Sequence, residues 1–162
     1  MKTFSLDLGC GSTLRNPYNA TEVLGIDIAK QDDWRVKQAD LVIEHIPFVD
    51  ESFDYVTAYD FLEHIPRILY KCDRRMHPFV DLMSEIYRVL KPGGLFLSST
   101  PCIPYSAAFQ DPTHVNFITP DTFAEYFDNE KTWAKMYGFV GAFEIVSLEM
   151  NPPHLVAVLK KV

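Results

Sequence analysis

The strongest constraint on this chain is a strand that ends in two glycines. Phe4-Ser5-Leu6-Asp7-Leu8 is apolar enough to be a buried strand, and it runs directly into Gly9-Cys10-Gly11. A backbone that turns sharply beside a ligand has no room for a Cβ, so glycine is needed there. Such a turn suits a nucleotide-like ligand, and its surroundings narrow the choice. A dinucleotide fingerprint calls for a third glycine at position 14 and a helix opening there. Here Leu14 is followed by Arg15-Asn16-Pro17, which does not read as a helix start. Asp7 would repel a pyrophosphate but would favour a cationic ligand.

Downstream, strand and helix signals alternate. Val23-Leu24-Gly25-Ile26-Asp27-Ile28 is a short buried strand, and the polar, proline-broken stretch before it barely spans a parallel crossover. Trp34 to Leu41 reads as a third strand running into Asp40, and Phe53 to Ala58 as a fourth, with Asp60-Phe61-Leu62-Glu63-His64 at its carboxyl end. Ligands of open α/β sheets bind outside the carboxyl ends of strands. Pro66 to Pro78 reads as a solvated basic loop carrying Arg67, Lys71, Arg74, Arg75 and His77, or as an insertion that recognises an acidic group. Phe79, Leu82, Met83, Ile86, Tyr87 and Leu90 mark one face of a helix. Lys91-Pro92-Gly93-Gly94 should stop it ahead of a fifth strand, Leu95-Ser99. A long proline- and aromatic-rich loop follows, then a helix capped at Thr119, a helical stretch near Trp133, and two strands at Phe143–Met150 and Leu155–Leu159. The short link between those last strands forces an antiparallel hairpin.

Leu6-Asp7-Leu8-Gly9-Cys10-Gly11, Phe53-Asp54-Tyr55-Val56, Leu62-Glu63-His64-Ile65 and Leu90-Lys91-Pro92-Gly93-Gly94-Leu95 resemble motifs of the class I S-adenosylmethionine-dependent methyltransferases, small-molecule type 11 in particular. The resemblance covers nearly the whole chain. It implies an α/β fold, a three-layer Rossmann-like domain over residues 1–162 with a seven-stranded mixed sheet and a C-terminal antiparallel hairpin. A domain without the helices that usually precede the first strand is expected, and a further glycine near Thr13 is absent. The implied cofactor is S-adenosylmethionine. Asp7, Gly9, Cys10 and Gly11 are expected around its methionine end, with Asp7 placing the ammonium. Asp27 and Ile28 are expected at the ribose, Asp40 and Leu41 at the adenine, and Asp60 and Phe61 at the end of the fourth strand. The plainer alternatives are a turn or N-cap acid at Asp27 and a turn cap at Asp40.

Methyl transfer from a sulfonium is an in-line displacement with an excellent leaving group, so alignment dominates and can supply on the order of 7–11 kcal/mol. A base is needed only where the acceptor must lose a proton. His64, beside the fourth strand, is the first candidate for that role, and His114, oriented by Asp111, the second. Each could equally be a structural or substrate-positioning histidine. Glu63 is expected to turn into solvent. Tyr59, Phe61, Tyr105 and Phe117 could wall the pocket and favour the sulfonium by cation–π contact. Cysteine and histidine spacing shows no metal set, so no metal is expected.

The totals bound the remainder. A length of 162 residues suits one domain, and a formal charge of -7 argues against general nucleic-acid binding. Three cysteines without ligand spacing, no signal-peptide pattern and no apolar run of membrane-spanning length point to a cytoplasmic protein and no membrane. The expected partner is a small-molecule substrate. Because the first crossover helix is stunted, the pocket should be open on one side, to be covered by a second copy or another protein. A non-catalytic cofactor-binding or scaffold domain is the alternative function. A nicotinamide dehydrogenase conflicts with the absent third glycine and the terminal hairpin.

Overall fold

A seven-stranded sheet forms the centre of the computed structural model, which describes residues 2–162. Its strands are β1 (Phe4–Leu8), β2 (Glu22–Asp27), β3 (Val36–Gln38), β4 (Phe53–Tyr59), β7 (Leu90–Pro101), β8 (Phe143–Asn151) and β9 (His154–Lys161). They lie in the order β3-β2-β1-β4-β7-β9-β8. The first five are parallel, while β9 runs antiparallel to both β7 and β8. This is the Rossmann-like α/β arrangement with its terminal antiparallel hairpin.

The chain leaves β1 for β2 in one direction and β4 for β7 in the other. Right-handed crossovers then put these two connections on opposite faces of the sheet. On one face lies α1 (Pro78–Val89), which buries Phe79, Leu82, Met83, Ile86 and Val89 at helical spacing. Its neighbour α2 (Pro120–Tyr126) is held by an edge-to-face pair between Phe79 and Phe127, with ring centroids 5.5 Å apart. The other crossover is a loop, as expected. It covers the sheet by stacking Tyr18 on Tyr55 at 4.4 Å and pressing Leu14 onto Gly25, where a Cβ would sit 2.5 Å from the leucine methyl. Glycine at 25 is what lets a loop do a helix's covering here.

Four expectations need correction. The Pro66–Pro78 segment is a β-hairpin, β5 (Leu69–Lys71) and β6 (Arg74–Met76). It turns at Cys72 and Asp73, both at positive φ, the geometry of a two-residue hairpin turn. The third strand is only Val36–Gln38, with Trp34 outside it and 83% exposed. Strand β7 begins at Leu90, directly after α1. Residues 91–94 bulge between the pairs Phe53–Leu90 and Tyr55–Leu95, and Lys91 Nζ meets Asp54 Oδ2 at 2.8 Å. Glu63 does not reach solvent. It lies in a 3-10 turn, Leu62–His64, and is 1% exposed. Among the described residues no helix is long and apolar enough to cross a membrane.

Candidate active site

Strand order reverses about β1, whose neighbours are β2 and β4, and a cleft outside the carboxyl ends follows from that reversal. A cavity of about 290 Å³ lies there. Four carboxyl-end segments line it: Gly9 after β1, Asp27 and Ile28 after β2, Asp40 and Leu41 after β3, and Asp60, Phe61 and His64 after β4. Eight of the twelve residues singled out from sequence thus share one cavity. Asp7, Cys10, Gly11 and His114 are not on its wall.

Gly9 has φ +63°, and a Cβ there would stand 2.5 Å from Phe61 Cδ2, so both backbone conformation and the aromatic neighbour require glycine. Gly11 N donates to Asp27 Oδ2 at 2.8 Å, and Ala29 N donates to Asp27 Oδ1 at 2.8 Å. Asp27 therefore ties the glycine loop to the end of β2 while each oxygen keeps a lone pair. Asp40 Oδ1 accepts from Val42 N at 3.0 Å, so it caps a turn as well as facing the cavity. Asp60 sits at φ +48° and accepts at Oδ1 from His154 Nε2 at 2.7 Å, which fastens the start of β9 to the cavity mouth.

Asp7 is fully buried, and both of its oxygens are occupied: Thr57 Oγ1 donates at 2.7 Å and Arg15 N at 2.8 Å. Burial raises its carboxyl above the ordinary range, and these two hydrogen bonds pull it partly back. Asp7 thus fastens the loop and offers no exposed surface of its own, so the expected placing of the cofactor's ammonium would act through the backbone it holds. Cys10 is also turned inward, and burial pushes its thiol up to about 11.

His64 and His114 lie together, with ring centroids 4.8 Å apart. Thr113 Oγ1 donates its one proton to Asp111 Oδ1 at 2.6 Å and stands 3.0 Å from His64 Nδ1. The hydroxyl must then accept from Nδ1–H, which leaves the His64 Nε2 lone pair free. The Asp111 carboxylate therefore orients the His64 ring, through Thr113, while His114 is held by Asp111 only through the backbone, N–H to carbonyl at 3.1 Å. His114 Nδ1 stands 3.2 Å from the Ala108 carbonyl, which can only accept, so its Nε2 is free too. Beneath them Thr100 Oγ1 donates to Glu63 Oε2 at 2.6 Å, and burial raises the Glu63 carboxyl above the usual range.

A second cavity of about 570 Å³ opens between the β5–β6 hairpin, α1 and α2. Its wall is largely apolar, with Phe79, Phe117, Tyr126 and Phe127, and carries Arg67, Arg75 and His77. Arg67 Nε donates to Asn116 Oδ1 at 2.7 Å, while Val115 N and Asn116 N both donate to the Glu63 carbonyl. The Leu62–His64 turn, whose His64 lines the smaller cavity, is thereby tied to Arg67 and the Val115–Phe117 segment, which supply Arg67 and Phe117 to the larger. Of the aromatics expected around the pocket, Phe61 lines the smaller cavity and Phe117 the larger. Tyr59 instead lies under the Arg15 guanidinium at 4.8 Å. Thr100, Thr113 and His154 were not singled out from sequence, and their partners lie 37, 49 and 94 positions away, so no local signal marks them.

Comparison with known proteins agrees with this geometry. The chain is 29% identical over 147 residues to squalene methyltransferase 1 of Botryococcus braunii, across 79% of this chain and 35% of that protein. It is 33% identical over 120 residues to demethylmenaquinone methyltransferase of Listeria welshimeri, across 61% of this chain and 46% of that protein. The chain thus spans about a third to a half of the length of these relatives. An S-adenosylmethionine-dependent methyltransferase from Mesorhizobium loti has the same fold, with TM-score 0.62 and 16% identity over 99% of this chain and 91% of that one. The sequence pattern of the methyltransferase domain matches residues 6–98, which hold the glycine loop, Asp27, Asp40 and His64. With more than half its length inside that match, the chain belongs to the S-adenosylmethionine-dependent methyltransferase family.

Proposed function

We propose that this chain transfers a methyl group from S-adenosylmethionine, bound in the smaller cavity, to a small and largely apolar acceptor seated in the larger one. The observation that carries the reading is the convergence of Asp27, Asp40 and the Gly9 turn on one cavity at the sheet's switch point. In this reading Asp27 accepts the ribose hydroxyls on the lone pairs left after Gly11 N and Ala29 N. Asp40 Oδ2 takes the adenine amino group, Leu41 N meets a ring nitrogen, and Ile28 covers the ring. Gly9 and Phe61 border the methionine end, and Asp60 supplies negative charge near the cationic groups. Asp7, Cys10 and Gly11 hold the loop that does the contacting.

The chemistry is a backside displacement in which the acceptor's electron pair forms the new bond to carbon as the carbon–sulfur bond breaks. His64 lines the cavity with its Nδ1 engaged by Thr113, which leaves its other ring nitrogen to receive a proton from an acceptor hydroxyl or carbon acid. The apolar acceptor is supported by the aromatic lining of the larger cavity and by relatives named for squalene and demethylmenaquinone. Arg75 and His77 on the rim suit an acidic substituent. A second copy or another protein over the open cofactor side belongs to this reading, because Ile28 at the cavity is 66% exposed.

Calorimetric titration with S-adenosylmethionine and with its demethylated product tests it. Saturable binding is expected, weakened about tenfold or more by Asp27→Ala, as for loss of hydrogen bonds to a charged group worth about 1.5–3 kcal/mol each. Absence of binding at millimolar ligand would overturn the reading.

A further inference from the structure

Glu63 is an anomaly in the machinery described so far. It is 1% exposed, its Oε2 is held by Thr100, and its Oε1 is buried without any hydrogen-bond partner. Buried acceptors are nearly always satisfied, and an orphaned carboxylate oxygen beside a ligand cavity calls for a cation or a donor that the protein itself does not provide. What surrounds it supplies the rest of a donor set. One ligand atom from each of Glu63, His64 and His114 lies within 4.8 Å of the others. Both imidazoles have their Nδ1 already engaged, by Thr113 and by the Ala108 carbonyl, which fixes the tautomer that frees Nε2. That arrangement, with each ring oriented through its other nitrogen, is how metal-ligating histidines are ordinarily held.

We propose that Glu63, His64 and His114 bind a divalent first-row transition-metal ion, open toward the cofactor cavity, where the ion takes an oxygen of the methyl acceptor. Two imidazoles and one carboxylate suit zinc, iron or manganese and do not suit calcium or magnesium, which prefer all-oxygen shells. Donors about 2.0–2.2 Å from such an ion stand roughly 3–3.5 Å apart, so atoms no more than 4.8 Å from one another need to close by at most about one to two ångströms. His64 and His114 are only half-buried and can make that movement. The carboxylate and an ion of opposite charge also account for the burial of an acid at this depth.

Ion binding stands independently of the methyl-transfer reading; the acceptor's role rests on it. Coordination lowers the pKa of a bound hydroxyl. Its proton then leaves to water, the oxygen–carbon bond forms, the carbon–sulfur bond breaks, and the neutral thioether departs. In that form His64 Nε2 holds the ion and does not take the proton.

The test is a titration of the chelator-stripped chain with cobalt(II), followed by visible absorption, with S-adenosylmethionine binding measured on the same sample. A saturable one-to-one rise in absorption, reversed by zinc, is expected. His114→Ala, in a partly exposed loop, should weaken it by ~10–100-fold with the circular dichroism spectrum unchanged. His45→Ala is the control, since that side chain is 91% exposed and points to Glu85. No saturable absorption, or cobalt binding that survives both His114→Ala and His64→Ala, overturns the site. Cofactor binding without cobalt binding removes the metal alone. Cobalt binding without cofactor binding removes the methyl-transfer reading and leaves the metal site standing.

Discussion

Asp7 shows how a single buried acid can serve the site without touching a ligand. Its raised carboxyl pKa means that the folded chain holds a proton more tightly than the unfolded one. The stabilisation linked to that proton is complete below the ordinary aspartate pKa and is lost as pH rises through the folded value. Asp7→Asn removes this dependence while keeping an oxygen for Arg15 N. Thermal unfolding followed upward from the ordinary aspartate range should therefore show a flatter dependence in the variant, with its advantage over the parent chain growing as pH rises through the folded value. Parallel curves for the two proteins would contradict this. Residue identities were legible wherever position relative to a strand decides the contact, as for Gly9, Asp27 and Asp40. They were illegible where a contact spans the fold. Asp111 was paired in sequence with its near neighbour His114, but the structure routes it through Thr113 to His64.

Among the elements, the junction between the Leu62–His64 turn and the Val115–Phe117 segment matters most, because it contributes lining residues to both cavities. Asn116 secures it. It is 1% exposed, accepts from Arg67 Nε at 2.7 Å and donates through Nδ2 to Leu62 O at 3.0 Å. Asn116→Ala would remove both hydrogen bonds, leaving Leu62 O with Ile65 N–H and Arg67 with the Phe117 carbonyl, at a cost of about 1–3 kcal/mol together. For a chain of this size that lowers Tm by roughly 2–12 °C, and hydrogen exchange should rise at His64 and Val115 before it does in α1. A melting temperature within a degree of the parent, with unchanged exchange, would show the junction to be held otherwise. Strands β1, β4, β8 and β9 and helix α1 follow their apolar periodicity closely. The β5–β6 hairpin was hidden because its turn is Cys72-Asp73, not a glycine pair, and because Arg74 and Arg75 read as solvated charge. The early start of β7 was hidden because Pro92-Gly93-Gly94 signals an end, whereas here it forms a bulge inside the strand.

For the whole molecule, a loop in place of the first crossover helix leaves the cofactor side of the sheet thinly covered. Ile28, 66% exposed at the cofactor cavity, and Trp34, 83% exposed ahead of β3 at the sheet's edge, are large apolar side chains that gain by being covered. Sedimentation velocity over increasing concentration should show self-association that Trp34→Lys diminishes. A monomer at every concentration that still binds cofactor tightly would remove the second-copy form of the proposal. The architecture as a whole was readable, because strand–helix alternation and the terminal hairpin together specify it. The stunted crossover was readable as well, because Asn16-Pro17 cannot carry a helix there.

The sheet order has a consequence for how the chain comes to be folded during synthesis. Strand β9 is the last of the nine to be made, yet it lies between β7 and β8, and β8 pairs with nothing else in the sheet. As the chain leaves the ribosome, β8 therefore emerges with only its start held, where Phe143 bridges to Asp128, and β7 keeps one edge open, until His154–Lys161 arrives to join them. That same strand brings His154 to Asp60. A nascent chain halted just short of β9 thus carries two bare strand edges and an unlatched cavity mouth, the combination on which chaperones and neighbouring nascent chains act.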